Sequence, residues 1–354
     1  MIQRPRWAEA LSLQLLWGLS ASLVWARVVT ERVLELHEGH QRSALIALMF
    51  VLCVGSASWT ARRLDRSRLR YLPLLLLAAM VMLELRRHAL RQQYAASAAS
   101  KSIGPIESLW RPVTTTDIAL RYYALTSKQL RPERLRLVLL TDLHITPALP
   151  RDYYEQVIDL VRAQDADLIL LAGDYVSRPA NIPLLARFFA RRWPARFGTF
   201  AVLGNHDHWT DPARVRAALS VGGVTLVENH CEHLPSQLGR IAICGTGAPW
   251  GPELSSELDR SEFNLVLSHT PDNVYRLAEQ GASLVLSGHT HGGQIRLPGF
   301  GSVVVPSRFG RLFDEGHFRV AGADLLVSAG VGADDPPLRI YCQPEILVID
   351  LQRP

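Results

Sequence analysis

The sequence predicts an α/β domain with buried sheets, preceded by an N-terminal transmembrane helical region. Three observations predict it. From residue 113 onward, short apolar runs alternate with stretches whose apolar residues recur at helical spacing. Residues 1–91 contain three long apolar runs separated by arginine clusters. Charge divides along the same line: residues 1–91 hold thirteen Arg and six acids, net +7, which leaves the rest of a +5 chain near −2.

In chain order, the runs 7–26 and 43–61 match the roughly 20 residues that span a bilayer, and the run 71–85 is shorter. A cleavable signal peptide is the rival reading of the first run, with Arg4 and Arg6 before it and Val24-Trp25-Ala26 at its end. Between the second and third runs, residues 62–70 pack five arginines into nine positions, which marks the cytoplasmic side. The third run then delivers the C-terminal domain to the other face, although Arg86, Arg87 and Arg91 oppose that bias. The expected organisation is a membrane region at 1–91, a linker at 92–112 rich in Ala, Ser and Gln, and a folded domain at 113–354. The slightly acidic domain has no surplus of cations for phosphate backbones, so nucleic acid is not expected as a partner. Four cysteines without CxxC spacing exclude a zinc ribbon or a dithiol redox motif, and the sequence leaves their pairing open.

Within the domain, 135–141, 167–172 and 199–203 read as buried strands. Tyr154, Val157, Ile158 and Val161 mark a helix after the first, and 183–192 a helix after the second. Asp211-Pro212 and Gly222 bracket a third helix, Thr270-Pro271 and Gly281 a fourth. Further short β runs are expected at 224–227, 241–244, 263–268, 283–287, 303–305, 325–328 and 346–351.

These strands end in a particular class of residue. The first ends at Thr141-Asp142-Leu143-His144, the second at Gly173-Asp174, the third at Gly204-Asn205-His206-Asp207. Later come Ser268-His269 and Ser287-Gly288-His289-Thr290-His291. Taken singly, an Asp after a strand caps a turn and a His there is an ordinary loop residue. Five strand ends of this kind in order are a different matter, because the C-terminal ends of strands in α/β domains converge on one crevice. Asp, Asn and His without thiolate suit Mn, Fe or Zn, and such a set can hold two cations about 3.5–4 Å apart. His208 reads as a rim residue, His230-Cys231-Glu232-His233 as a polar loop, and His317 has no evident partner.

The series Asp142-x-His144, Gly173-Asp174, Gly204-Asn205-His206-Asp207, His269 and Gly288-His289-x-His291 resembles the calcineurin-like metallophosphoesterase superfamily. Gly292-Gly293-Gln294, Leu338-Arg339-Ile340 and Pro344-Glu345-Ile346 are similar to its membrane-anchored bacterial phosphodiesterase-like branch. The resemblance implies a four-layer α/β/β/α sandwich. It implies that Asp142, His144 and His291 hold one metal, that Asn205, His269 and His289 hold a second, and that Asp174 bridges them. It places His206 as the acid for the leaving group or a clamp on phosphoryl oxygens. The implied reaction is hydrolysis of a phosphoester by a hydroxide that two metal ions activate.

One position departs from that pattern. Where many such phosphatases read Gly-Asp-x-x-Asp-Arg, this chain reads Gly173-Asp174-Tyr175-Val176-Ser177-Arg178, so the acid that would orient His206 is missing. The sequence thus points to a membrane-tethered phosphoester hydrolase of the bacterial inner membrane, its catalytic domain extracytoplasmic, with lipid-linked or cell-envelope phosphodiesters as the expected substrates. A non-catalytic sensor or scaffold that binds a phosphorylated ligand is the alternative. A nuclease on the same fold is disfavoured by the acidic domain.

Overall fold

The computed structural model describes residues 72–105, 110, 112–191, 193–247, 254, 257–298 and 301–354. The apolar runs 7–26 and 43–61, the arginine loop 62–70 and Cys53 lie outside the described residues. The described part of one compact unit is a helix through Gln93 together with Arg308–Leu312, and the other unit is Tyr94–Ser307 with Phe313–Pro354.

The helix α1 (Leu72–Tyr94) takes in most of the run read as a third, shorter span. Instead of stopping at residue 85 it runs on through Arg86, Arg87, His88 and Arg91. Those charges are used within the unit: Arg87 and Arg91 donate to the carbonyl oxygens of Arg311 and Leu312, and Arg311 pairs with Glu84. Among the described residues, no helix is long and apolar enough to cross a membrane.

The larger unit is built on two mixed sheets. The first contains β1 (Lys101–Ile103), β2 (Ala119–Thr126), β3 (Arg134–Leu140), β4 (Leu168–Leu171), β5 (Thr199–Ala201), β6 (Thr225–Leu226) and, inserted between β2 and β3, the last strand β15 (Glu345–Gln352). Strands β3 to β6 are parallel neighbours, and β15 is antiparallel to β3. The second sheet has the order β13 (Gly316–Val320), β14 (Ala323–Val327), β10 (Leu284–Ser287), β9 (Phe263–Leu267), β8 (Ile241–Gly245), β7 (Cys231–His233). Its four inner strands are parallel and its two edges antiparallel. A two-stranded ribbon, β11 (Arg296–Leu297) with β12 (Gly301–Ser302), ends at Ser302, and the stretch 303–305 that follows it, expected as a strand, is not one.

Side-chain alternation in the strands divides the core in two. Leu135, Leu137 and Leu139 of β3, Leu168 and Leu170 of β4, and Leu347 and Ile349 of β15 face Ile243, Leu265, Leu267, Leu284 and Leu286 of the second sheet. The intervening residues Val138, Leu140, Ile169, Leu171, Ile346 and Val348 point the other way, onto helices. Those helices are α2 (Arg151–Arg162), α3 (Ile182–Phe189) and α5 (Pro212–Val221). In α2 the buried residues are Tyr153, Val157, Ile158 and Val161, one position off the expected stripe at its first member. The Tyr154 ring stays half-buried because its hydroxyl accepts from the Thr146 amide, 3.0 Å away. The side chain of Asp211 caps α5 by accepting from the Arg214 amide, as its sequence predicts. On the second sheet, α6 (Val274–Gln280) packs against β13 and β14, and Gly281 ends it in the left-handed conformation.

The stretch expected as a linker, 92–112, contains β1, which pairs antiparallel with β2. The histidine-rich stretch read as a polar loop is strand β7, and its Cys231 is disulfide-bonded to Cys244 of β8 directly opposite. His317, without a partner in the sequence reading, is buried between Asp324 Oδ1 at 2.9 Å and Ser97 Oγ at 2.7 Å.

Candidate metal centre

Because β3, β4, β5 run parallel in one sheet and β9, β10, β14 in the other, their C-terminal ends open at one edge of the sandwich. The loop after β3 carries Asp142 and His144, that after β4 Asp174, and the short helix α4 (Asn205–Thr210) after β5 carries Asn205 and His206. His269 follows β9, and His289 and His291 follow β10. All seven residues singled out as ligands are buried.

Donor atoms of Asp142, His144, Asp174 and His291 converge on one another, and so do those of Asp174, His269 and His289. Asp174 is common to both groups. Its Oδ2 lies 3.6 Å from His144 Nε2 and 3.3 Å from His269 Nε2, while its Oδ1 accepts from the His206 amide at 2.8 Å. Asn205 joins the second group, its Oδ1 3.0 Å from His269 Nε2. In the first group His144 Nε2 and His291 Nε2 are 3.1 Å apart, and His291 Nε2 is 3.6 Å from Asp142 Oδ1. The Asp142 carboxylate is held by the Thr141 hydroxyl and the His289 amide.

This donor set fits cations. The second nitrogen of His269 donates to Ala172 O at 2.7 Å and that of His144 meets Ser177 Oγ at 2.6 Å, so both rings are held with Nε2 pointing inward. What those nitrogens face are other acceptors, namely carboxylate oxygens, an amide oxygen and a second imidazole. Two fully buried carboxylates with imidazoles and amides for company are costly unless positive charge lies among them.

The electrostatics follow from the same crowding. Burial, with Asp174 adding to it, pushes Asp142 up to about 6 even though His269 pulls the other way. Burial opposes ionisation of Asp174, but His269, His206 and His144 outweigh it and hold that carboxyl well below the usual range. His269 is the mirror case: burial favours its neutral form, yet Asp174 raises the imidazole to about 9. Burial and the neighbouring His206 bring His144 down to about 4, and burial with His144 holds His291 well below the usual imidazole range.

The backbone is shaped to allow this approach. A Cβ on Gly204 would lie 2.1 Å from Asp174 Oδ1, so no other residue lets β5 pass so close to that carboxylate. Gly330, at φ +78°, lies against Asp142 in the same way, and a Cβ there would fall 2.7 Å from the Cβ of Asp142.

His206 sits at the mouth. Its ring is edge-on to His144 with centroids 4.8 Å apart and rests on Trp209 at 5.0 Å. Neither Ser177, at the position of the missing acid, nor the adjacent Asp207 is free to orient it. Ser177 is taken by His144, and both oxygens of Asp207 accept backbone amides, from Asp174 and Gly204 on one side and Tyr175 and Val176 on the other. Arg178 forms an exposed ion pair with Asp335. His208 faces Glu228 at 3.8 Å, and His230 and His233 pair with Glu232 and Glu262.

Two residues that sequence reasoning left without a role shape the site. Asp334, in the loop after β14, brings Oδ2 to 3.6 Å from His206 Nε2. Arg339 is fully buried and donates to the carbonyls of His291, Ala329, Gly330 and Gly332. Arg339 was marked by its motif. Asp334 carried no local signal, because its loop is an Asp-Asp-Pro turn in sequence.

Comparison with known proteins agrees with this geometry. The calcineurin-like phosphoesterase family matches residues 135–293. The uncharacterized metallophosphoesterase YkuE of Bacillus subtilis (strain 168) is 31% identical over 231 residues, covering 61% of this chain and 79% of that protein. The chain belongs to the calcineurin-like phosphoesterase family. Phosphodiesterase YaeI of Escherichia coli (strain K12) is 30% identical, covering 61% of this chain and 82% of that one. An uncharacterized metallophosphoesterase of Helicobacter pylori (strain J99 / ATCC 700824) is 30% identical, with 62% of this chain matching 60% of its length. Family membership makes the chain a metal-dependent phosphohydrolase, and the converged Asp and His donors are its candidate metal ligands.

Proposed function

We propose that this phosphoesterase is a dinuclear enzyme that hydrolyses phosphodiesters associated with a membrane or cell envelope. One observation carries the reading: Asp174 is shared between two buried donor groups, as a carboxylate bridging two ions must be. Asp142, His144 and His291 would hold one ion and Asn205, His269 and His289 the other. When bound, Mn, Fe or Zn ions would supply an activated water and neutralise phosphoryl charge. The chain's own contribution is to fix those donors, to exclude bulk water from them by burial, and to place His206 at the mouth as the proton donor for the leaving oxygen. In this reading α6 completes the four-layer α/β/β/α sandwich that the sequence resemblance implies.

The name of the YaeI relative supports the choice of diesters. Attachment to the bacterial inner membrane through residues 1–91, with the enzyme domain extracytoplasmic, is supported by the apolar runs 7–26, 43–61 and 71–85 and by the arginine loop 62–70 that precedes the third run. The Cys231–Cys244 disulfide adds to it, since such bonds persist in oxidising compartments. Lipid-linked phosphoesters are the substrates that such a location would present.

The test is metal analysis and turnover of the purified full chain. Up to two transition ions per chain are expected, and hydrolysis of bis(p-nitrophenyl) phosphate should require them. Asp174→Asn is expected to lower kcat at least 100-fold, roughly the scale of losing the electrostatic preorganisation of such a site. Full turnover by a metal-free preparation sinks the proposal.

A further inference from the structure

The acid missing from Gly173-Asp174-Tyr175-Val176-Ser177-Arg178 is replaced from another part of the fold. We propose that Asp334 is the positioning residue of His206, holding its imidazole for proton donation to the leaving oxygen. The inference rests on the reading of His206 as the leaving-group acid.

Four features carry it. Asp334 Oδ2 is 3.6 Å from His206 Nε2, whereas Ser177 and Asp207 are committed elsewhere. That separation is longer than a hydrogen bond, as catalytic contacts without substrate often are. The other oxygen of the same carboxylate, Oδ1, already accepts from the Asp335 amide at 2.8 Å, so the free oxygen is the one that faces the imidazole. The backbone of Asp334 is clamped on both sides by one side chain: its amide donates to Gln294 Oε1 at 3.0 Å, and Gln294 Nε2 donates to its carbonyl at 3.1 Å and to that of Pro336 at 3.2 Å. The loop is anchored below, where the Gly332 amide donates to Asp142 O at 2.7 Å and Arg339 Nε donates to Gly332 O at 2.7 Å. The acid is therefore fixed relative to the metal-ligand loop and to His206 together.

A carboxylate on one ring nitrogen sets the tautomer and orientation of an imidazole. In the proposed step the P–O bond to the leaving group breaks as the entering oxygen bonds to phosphorus. The proton on His206 passes to the leaving oxygen, and a proton from the entering water restores it.

Proton donation matters most when the leaving oxygen is a poor anion, which gives a readout that a merely structural role would not move. The experiment compares wild type, Asp334→Asn, Asp334→Glu and His206→Ala on methyl p-nitrophenyl phosphate and methyl phenyl phosphate. Metal content is measured on each preparation. For Asp334→Asn the loss in kcat should be about 10-fold greater with the phenyl ester than with the nitrophenyl ester, within the usual range for general acid catalysis. His206→Ala should show the same or a larger difference, Asp334→Glu should recover part of the loss, and metal content should stay at the wild-type level. An equal loss on both esters for Asp334→Asn, with His206→Ala still discriminating, overturns the role of Asp334 alone. Loss of metal in Asp334→Asn makes it a ligand and overturns the proposal too. If His206→Ala fails to discriminate, the leaving-group reading of His206 falls and this proposal goes with it.

Discussion

Left-handed backbone is uncommon for residues with a side chain, yet Asp142, His144, Asp174, His289 and His291 adopt it, with φ of 53°, 38°, 56°, 68° and 52°. Such strain, of order 1–3 kcal/mol per residue, persists only where surrounding contacts impose it, and it clusters at functional sites. Here the sharp turn at each strand end is what swings the ligand atoms inward. The identity of these residues was legible in the sequence because they recur at strand ends. Their partners were not, since Ser177 turns to His144 and Asp334 arrives from a distant loop. At this scale His269 gives a pH prediction. Burial favours its neutral form, but Asp174 raises the imidazole to about 9, above the ordinary 6.5. Without metal, the stability this pair contributes is fully present below pH 6.5 and is lost as pH rises towards 9. A metal requires the neutral ring, so binding must expel that proton. Apparent Mn affinity is expected to rise about tenfold from pH 6.5 to 7.5, with about one proton released, as read by calorimetry in buffers of different ionisation enthalpy. An affinity flat across that range, with no proton released, would show that Asp174 does not hold His269 protonated before metal binds.

At the scale of elements, the parallel strands and the helices between them could be read directly, because fully apolar runs flanked by caps have few alternatives. β2, with Arg121 and two tyrosines, and β13, with His317 and Arg319, were missed because they lack such a run. β7 was hidden by composition, since its Cys-Glu-His sequence becomes a strand only through pairing with β8. The connection from β14 to β15 was the least legible and is the most consequential, for it carries Gly330, Asp334 and Arg339. One guanidinium satisfies four carbonyls there and so determines where the loop lies against Asp142 and His291. Arg339→Met keeps much of the volume but leaves those carbonyls buried without a donor. The expected cost is about 3 kcal/mol in chemical unfolding, with reduced metal content in the protein that remains folded. A variant with wild-type stability and wild-type metal content would show that the loop needs no such anchor.

For the whole molecule, the sequence divides into a basic apolar region and a slightly acidic domain, and the proposed topology puts a membrane between cytoplasm and enzyme. The disulfide makes that placement testable without any substrate. Cys231 and Cys244 lie 13 positions apart on neighbouring strands at the edge of the second sheet, while Cys342 is a buried free thiol. Closing a loop of that size stabilises a fold by about 3 kcal/mol in the chain-entropy account, but only where the bond can persist. The reducing cytosol opposes such bonds, whereas the periplasm maintains them. In cells quenched with acid and alkylated under denaturing conditions, the full chain should therefore carry label on Cys342 and none on Cys231 or Cys244 until reductant is added. Labelling of Cys231 and Cys244 without reductant, in cells whose known periplasmic disulfides remain closed, would place the enzyme domain on the cytoplasmic side. The arginine-rich loop would then have to be reinterpreted, with the charges at Arg86, Arg87 and Arg91 setting the orientation instead.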